Sequence, residues 1–361
     1  MRRVLRRWRD RLLAPTHDIL LRRLLERNRR MDTETLPERR GLRLYTDGEI
    51  RRMPHASVLL GGCRFTGRIA EAEAVVVWNP GYYFNRWKLL WRALLAGKPL
   101  LIAEDGPLRS LDIGARGDPG LSCILDDLGV YFDPFSSRIR AFLESDWELT
   151  EEERGRVRRL MEKIRRYRLS KYNLVPPRPP LPPKTRQRVL VIDQRRGDRS
   201  VVLSGLNEAR FRRMLEDAVA ENPDAEIWIK THPDANSGLF DGYYVGYRPE
   251  SERVRKITDN VNPLCLIEAV DRVYVGSSQM GFEALMAGRE VICYGMPFYA
   301  GWGVTVDRGG DRGCRRRRSV EELFYALYLR YTRYCDPRSG EECSLEEFIE
   351  LLHRETGWSD D

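Results

Sequence analysis

From residue 187 onward, short apolar runs and amphipathic stretches take turns without a break. The segments "RVLVID" (188–193), "EIWIKTHPD" (226–234), "RVYVGSS" (272–278) and "REVICYG" (289–295) have the length and β-branched content of buried strands. Between them, "EARFRRMLEDAVAEN" (208–222), "NPLCLIEAV" (262–270) and "GFEALMAG" (281–288) carry helical spacing. Strand–helix–strand repetition leaves few solutions, because parallel neighbours need crossovers and these are right-handed. A parallel α/β sheet is the expectation.

The first half has a similar but sparser texture. "AEAVVVWNP" (72–80) and "GKPLLIAEDG" (97–106) read as strands, with the helical "RWKLLWRALLAG" (86–97) between them. A long polar-faced helix with a Thr150 cap follows at 149–173. Six prolines then fall within "VPPRPPLPPKTR" (175–186), which no helix or central strand tolerates. These features predict an α/β chain of two Rossmann-like lobes facing one another. The expected parts are a basic amphipathic arm (1–40), an N-terminal lobe (41–174), a linker (175–186), a C-terminal lobe (187–318) and C-terminal helices (319–361).

Charge narrows the partners. The 361 residues carry a formal charge of +8, with Arg far ahead of Lys, which favours anionic ligands or surfaces. In the arm, Val4, Leu5, Trp8, Leu12, Leu13, Ile19, Leu20, Leu24 and Leu25 recur among arginines at helical spacing. That pattern suits an anionic membrane surface or a helix packed on its own domain. Seven cysteines without a CxxC pair argue for a reducing compartment and against structural zinc. No apolar run approaches the ~20 residues that span a bilayer. A soluble cytoplasmic protein is expected, with no metal and no nucleic-acid partner, since no nucleic-acid motif accompanies the charge.

In open parallel sheets, ligands bind beyond the carboxyl ends of the strands. Those ends carry Glu104 and Asp105 in the first half. In the second half they carry Asp193 with Asp198, then Lys230, Thr231 and His232, then Ser277, Ser278 and Gln279. The turn at 277–279 opens a helix, whose free N–H groups suit a phosphate, although Ser278 could simply cap that helix. Glu283, on the first turns, is placed to reach a ribose diol. The pair Asp126 and Asp127 reads as turn chemistry before metal binding, and "RGCRRRR" (312–318) as a solvated face. No Walker lysine loop, GxGxxG or DxD follows a strand, which disfavours ATP, NAD and metal-bridged diphosphates.

"EDGPLRSLDIG", "LSCILDDLGVYFDP", "VIDQRRGDRSV", "IWIKTHPD" and "GFEALMAGREVICYGMPFYAGWGVTVD" occur in this order. Over roughly residues 70–310 the chain resembles one module of the KpsC capsule polysaccharide proteins. The resemblance implies a GT-B-like retaining β-Kdo transferase of CMP-Kdo, Kdo being an eight-carbon keto-acid sugar. It also implies a Kdo-bearing phosphatidylglycerol-type acceptor, the inner-membrane surface and other capsule assembly proteins as partners, and no cofactor beyond the donor. Retention requires two inversions, so a carboxylate bonds to Kdo between them. Asp198, after Gly197, is the nucleophile in this reading and Asp193 orients the loop. Glu104 or Asp105 is the general base, and His232 and Lys230 hold or protonate the departing phosphate with Ser277, Ser278 and Gln279. Two rival readings stand: an inverting CMP-sugar transferase on the same fold, and a non-catalytic scaffold that docks to membrane or binds Kdo chains.

Overall fold

The computed structural model describes residues 16–31, 33, 36–79, 84–112, 117–173, 175, 181–232, 241–249, 251–259, 261–310, 313–314 and 316–358. Its strands are β1 (Arg43–Tyr45), β2 (Arg64–Phe65), β3 (Ala74–Trp78), β4 (Leu100–Asp105), β5 (Ser122–Asp126), β6 (Arg188–Ile192), β7 (Glu226–Lys230), β8 (Val254–Ile257), β9 (Arg272–Val275), β10 (Glu290–Cys293), β11 (Val306–Asp307), β12 (Thr332–Asp336) and β13 (Glu341–Cys343). The helices that carry the core and the site are α1 (16–28), α2 (Phe84–Leu95), α3 (Glu151–Arg166), α4 (Arg199–Leu203), α5 (Glu208–Glu221) and α6 (Met280–Met286).

Two compact units result. The first contains residues up to 131 together with 136–141 and 327–348; the second contains 132–135, 142–326 and 349–361. The second unit holds the expected parallel sheet, in the order β11-β10-β9-β6-β7-β8. Val189, Val191, Ile227, Ile229, Tyr274 and Ile292 fill one face. Leu190, Trp228, Val273, Val275 and Val291 are equally buried on the other. Continuous apolar runs are what a sheet covered on both faces requires.

The first unit departs from the Rossmann-like expectation. Its order is β13-β12-β5-β4-β3-β1-β2, and only the β4-β3-β1-β2 portion is parallel. β5 returns antiparallel to β4, and β12 and β13 continue antiparallel. A parallel return needs a crossover element, and the described residues between β4 and β5 form no helix. The tail also departs: 319–336 was expected to be helical throughout, yet Thr332–Asp336 is a strand paired with Ser122–Ile124. Thr332, Tyr334 and Cys335 are buried there.

The proline run does not separate the two units. Residues 176–180 lie outside the described residues, and α3, placed before the run, belongs to the second unit. Its capping box at Thr150 and Glu153 forms as expected, and Val157, Leu160 and Ile164 are buried. Tyr325 donates to Glu153 at 3.0 Å and Lys163 pairs with Glu350 at 2.6 Å, all within that unit. After the run, Arg188 donates to the carbonyls of Pro182 and Pro183 and pairs with Glu226 at 2.8 Å beneath Trp228.

Of the N-terminal arm, residues 1–15 lie outside the described residues. α1 is packed into the first unit, with Leu20, Leu21, Leu24 and Leu25 all buried. Asn28 donates to the Leu100 and Asp127 carbonyls at 2.7 Å each and accepts from the Leu100 N–H at 3.2 Å. Over this helix, internal packing is the arrangement adopted.

Candidate functional site

Strand order builds the site. β6 lies between β9 and β7, all three parallel, so their carboxyl ends finish side by side. The tails of β6, β7 and β9 carry Asp193–Asp198, Lys230–His232 and Ser277–Gln279. One edge of one unit therefore collects seven of the residue positions singled out above: Asp193, Asp198, Lys230, His232, Ser277, Ser278 and Gln279.

Asp193 is the buried organiser of its loop. Its carboxylate accepts from the backbone N–H groups of Gln194 and Tyr243 at 2.8 Å and of Tyr244 at 3.3 Å. Burial nevertheless raises its pKa, because desolvation outweighs those three donors. A Cβ on Gly242 would lie 2.3 Å from Asp193 Oδ2, so the carboxyl is pressed against backbone that tolerates no side chain. The loop then turns at Gly197, whose φ of +72° favours glycine.

Asp198 caps α4, a role its sequence position did not suggest. Its Oδ1 accepts from the Ser200 N–H at 2.9 Å and the Ser200 hydroxyl at 2.6 Å. Ser277 Oγ donates to Ser200 Oγ at 3.2 Å, and Gln194 Nε2 donates to Ser277 Oγ at 3.1 Å. The Ser277 N–H closes the chain by donating to Gln194 Oε1 at 2.7 Å. This relay joins the Asp198 loop to the 277–279 turn and fixes one face of the carboxylate. Oδ2 accepts no hydrogen bond from the described residues. Gln194 and Ser200 were missed in the sequence because their partners lie far along the chain; the only local signal is Ser200 two residues after an N-cap acid.

The 277–279 turn has its own support. The Ser278 hydroxyl accepts from the Met280 N–H at 3.3 Å, which is the capping-type contact, and its carbonyl accepts from the Tyr299 hydroxyl at 2.5 Å. Tyr299 is fully buried, and a Cβ on Gly281 would sit 2.1 Å from its hydroxyl oxygen. The motif "FYAGWG" is thus the floor of the turn. Gln279 precedes α6 without a side-chain cap bond and donates to Glu283 at 3.4 Å.

Lys230 and Glu283 are more enclosed than exposed ligand contacts would be. Lys230 Nζ donates to the Asp259 carbonyl at 3.0 Å, and desolvation lowers its pKa to about 8. Thr231 Oγ1 donates to the Ile257 carbonyl at 3.1 Å, and His232 is half-buried next to it. Glu283 Oε1 accepts from Ser170 Oγ at 2.7 Å, while its buried Oε2 has no hydrogen-bond partner. Burial raises its pKa to about 7. A raised carboxyl pKa means that the folded state holds the extra proton. This stability contribution is complete below the ordinary Glu value and is lost as pH rises through about 7. Glu283→Gln is therefore expected to melt like the wild type near about pH 4 and to gain on it above neutrality, by on the order of 3 kcal/mol. Thermal melts across that range test this, and parallel wild-type and variant curves would exclude Glu283 as the group.

In the first unit, Glu104 and Asp105 end β4. Glu104 is buried and its Oε1 accepts from the Asp105 N–H at 3.1 Å. Asp105 Oδ2 accepts from Arg109 Nε at 3.0 Å. Arg109 in turn holds the Asp112 and Asp118 carbonyls at 3.2 and 2.8 Å. Asp126 is turn and cap chemistry, as read, whereas Asp127 is a buried ion-pair partner. Asp126 accepts from the Leu128, Gly129 and Arg138 N–H groups, with burial raising its pKa to about 6. Asp127 forms a two-pronged pair with Arg138 at 2.8 and 2.6 Å. In the basic run, Arg318 is buried and donates to the carbonyls of Leu143, Ser145 and Trp147, so it is no solvated side chain.

A family model described as "Capsule polysaccharide biosynthesis protein" matches residues 155–334. The capsule polysaccharide modification protein LipA of Neisseria meningitidis serogroup A is 38% identical over 314 residues, covering 84% of this chain and 44% of LipA. The lipopolysaccharide-processing protein LpsZ of Rhizobium meliloti is 35% identical over 271 residues, covering 72% of this chain and 60% of LpsZ. The chain spans about half the length of the curated relatives it matches. Among solved structures, the β-Kdo 2,4 transferase of Thermosulfurimonas dismutans KpsC matches with TM-score 0.80 and 37% identity, over 88% of this chain and 99% of that one. The β-Kdo 2,7 transferase of the same KpsC matches with TM-score 0.60 and 25% identity, over 87% and 99%.

Proposed function

Because the chain belongs to the KpsC-type family of capsule polysaccharide biosynthesis proteins, we propose that it is a retaining β-Kdo transferase using CMP-Kdo. The acceptor in this reading is a Kdo-bearing phosphatidylglycerol-type glycolipid at the inner membrane, and the two lobes work as a GT-B enzyme. The carrying observation is the shared edge at β9, β6 and β7, where a carboxylate with one open oxygen adjoins a hydroxyl-rich helix entrance. The linkage proposed is 2,4, on the higher similarity to the β-Kdo 2,4 transferase.

Asp198 Oδ2 attacks the anomeric carbon of Kdo; the bond from that carbon to the phosphate oxygen breaks, and CMP departs with the electron pair. The Ser278 turn and the α6 entrance receive the phosphate, with His232 and Lys230 on the neighbouring strand end. An acceptor hydroxyl, relieved of its proton by a carboxylate, then attacks the same carbon and releases Asp198. Asp105 is committed to Arg109, so Glu104 is the base in this reading. Glu283, buried beside the turn with its pKa raised by desolvation, is the residue assigned to the ribose in this reading.

One observation favours a second reading, in which transfer inverts: Asp198 already has a structural task as the α4 cap. Incubation with CMP-Kdo and a Kdo-tipped acceptor, followed by NMR assignment of linkage and anomeric configuration, separates the two. A retained β-2,4 product supports the proposal. An inverted product removes the Asp198 adduct from it, and no transfer at all supports a scaffold.

A further inference from the structure

From Ala74 to Ala103 the sequence contains no Asp or Glu, although Arg86, Lys88, Arg92 and Lys98 fall within it. α2 lies in this stretch and is fixed in rotation by its inner residues. Leu89, Leu90 and Ala93 are buried in the first unit, so Lys88, Trp91, Arg92 and Leu95 share the exposed stripe. Trp91 is 38% exposed and Leu95 81%, which is unusual for two large apolar side chains one turn apart. Trp91 also rests edge-on against Trp87 at 6.1 Å, so the indole is held in place.

The C-terminal end of α2 is prepared for a low-water setting. Its Leu94 and Ala93 carbonyls accept from the Gly97 and Lys98 N–H groups at 3.2 and 3.0 Å. Here Arg27 of α1 donates to the Ala93 and Leu94 carbonyls at 3.1 Å each, and to the Lys98 carbonyl as well. Burying this helix end therefore leaves no bare carbonyl at those positions. Met31, also exposed, lines a polar cavity beside the same helix end with Gly97, Lys98, Arg39, Arg43, Glu71 and Glu73.

We infer that this stripe of α2 is the surface by which the protein docks on an anionic phospholipid bilayer, with Trp91 and Leu95 entering the headgroup boundary and Lys88 and Arg92 meeting lipid phosphates. Alternating apolar and cationic residues, without a carboxylate, match an interfacial helix. A protein partner fits less well, since Lys, unlike Arg and Trp, is depleted at protein interfaces and Lys88 sits on the stripe. The inference deepens the proposed use of a lipid-linked acceptor by naming the surface that meets the lipid. The leucines of α1 pack inside the first unit, and the rest of the expected arm, residues 1–15, lies outside the described residues.

The test is sedimentation of the full chain, without donor, with phosphatidylcholine vesicles containing about 30% phosphatidylglycerol and with pure phosphatidylcholine vesicles. The wild type should co-sediment with the anionic vesicles only, and high salt should weaken binding. The double variant Trp91→Ser, Leu95→Glu should lose about ten-fold or more in partitioning while keeping its melting temperature. Transfer to a short, soluble acceptor should stay unchanged in that variant. Equal partitioning of wild type and variant, or equal binding to neutral vesicles, overturns the inference. A variant that binds vesicles normally but loses self-association also overturns it, by marking the stripe as a protein interface. Because the readout needs no Kdo, its failure leaves the transferase reading intact.

Discussion

Asp198→Asn is expected to fold normally and to lose Kdo transfer by about 10³-fold or more. Asn is as good an N-cap as Asp, so the bonds to Ser200 and the start of α4 survive the change. The oxygen proposed as the nucleophile does not survive it. Asp198→Ala removes both functions and should lower stability by about 1 kcal/mol in addition. The pair therefore separates capping from catalysis, which a single Ala variant cannot do. Blocking the second step should trap the intermediate: Glu104→Gln with CMP-Kdo is expected to gain the mass of one Kdo residue, located by fragmentation within residues 193–200. An adduct found on Glu104 or Asp105, or near-normal turnover by Asp198→Asn, would falsify the assignment.

The same carboxylate illustrates what the sequence does and does not carry. The strand ends were readable because a strand buried on both faces is a continuous apolar run, and the first polar residue after it marks the edge. Val189–Ile192 followed by Asp193, and Val273–Val275 followed by Ser277, are such cases. That β9 and β7 flank β6 is a property of strand order, which no local pattern encodes. Gln194 was invisible for the same reason, since its value lies in contact with Ser277, 83 residues away. β12 was misread because "RYTRYCD" continues an amphipathic helix in composition, and only pairing with β5 makes Thr332–Asp336 a strand. The proline run was a sound argument for an irregular segment and a poor one for a boundary. Prolines forbid regular structure locally, but they do not decide with which core the preceding helix packs.

Deleting residues 1–30 is expected to unfold the first unit. Four leucines of α1 are buried there, and each contributes roughly 1.5–3 kcal/mol on burial. Their sum rivals the entire ~5–15 kcal/mol stability of an ordinary domain. Asn28 adds a polar loss. Without its amide, the Leu100 N–H and carbonyl at the start of β4 and the Asp127 carbonyl in the next turn lose their partner. Buried groups stripped of partners each cost about 1–3 kcal/mol. A milder probe is Leu24→Ala, expected to cost about 2–5 kcal/mol, since Leu24 is fully buried. Circular dichroism melts and limited proteolysis report both changes, with cleavage predicted inside residues 36–131 before the second unit is attacked. If the deleted chain keeps a cooperative melt and its protease resistance, α1 is an appendage, and the Asn28 contacts do not hold β4 in place.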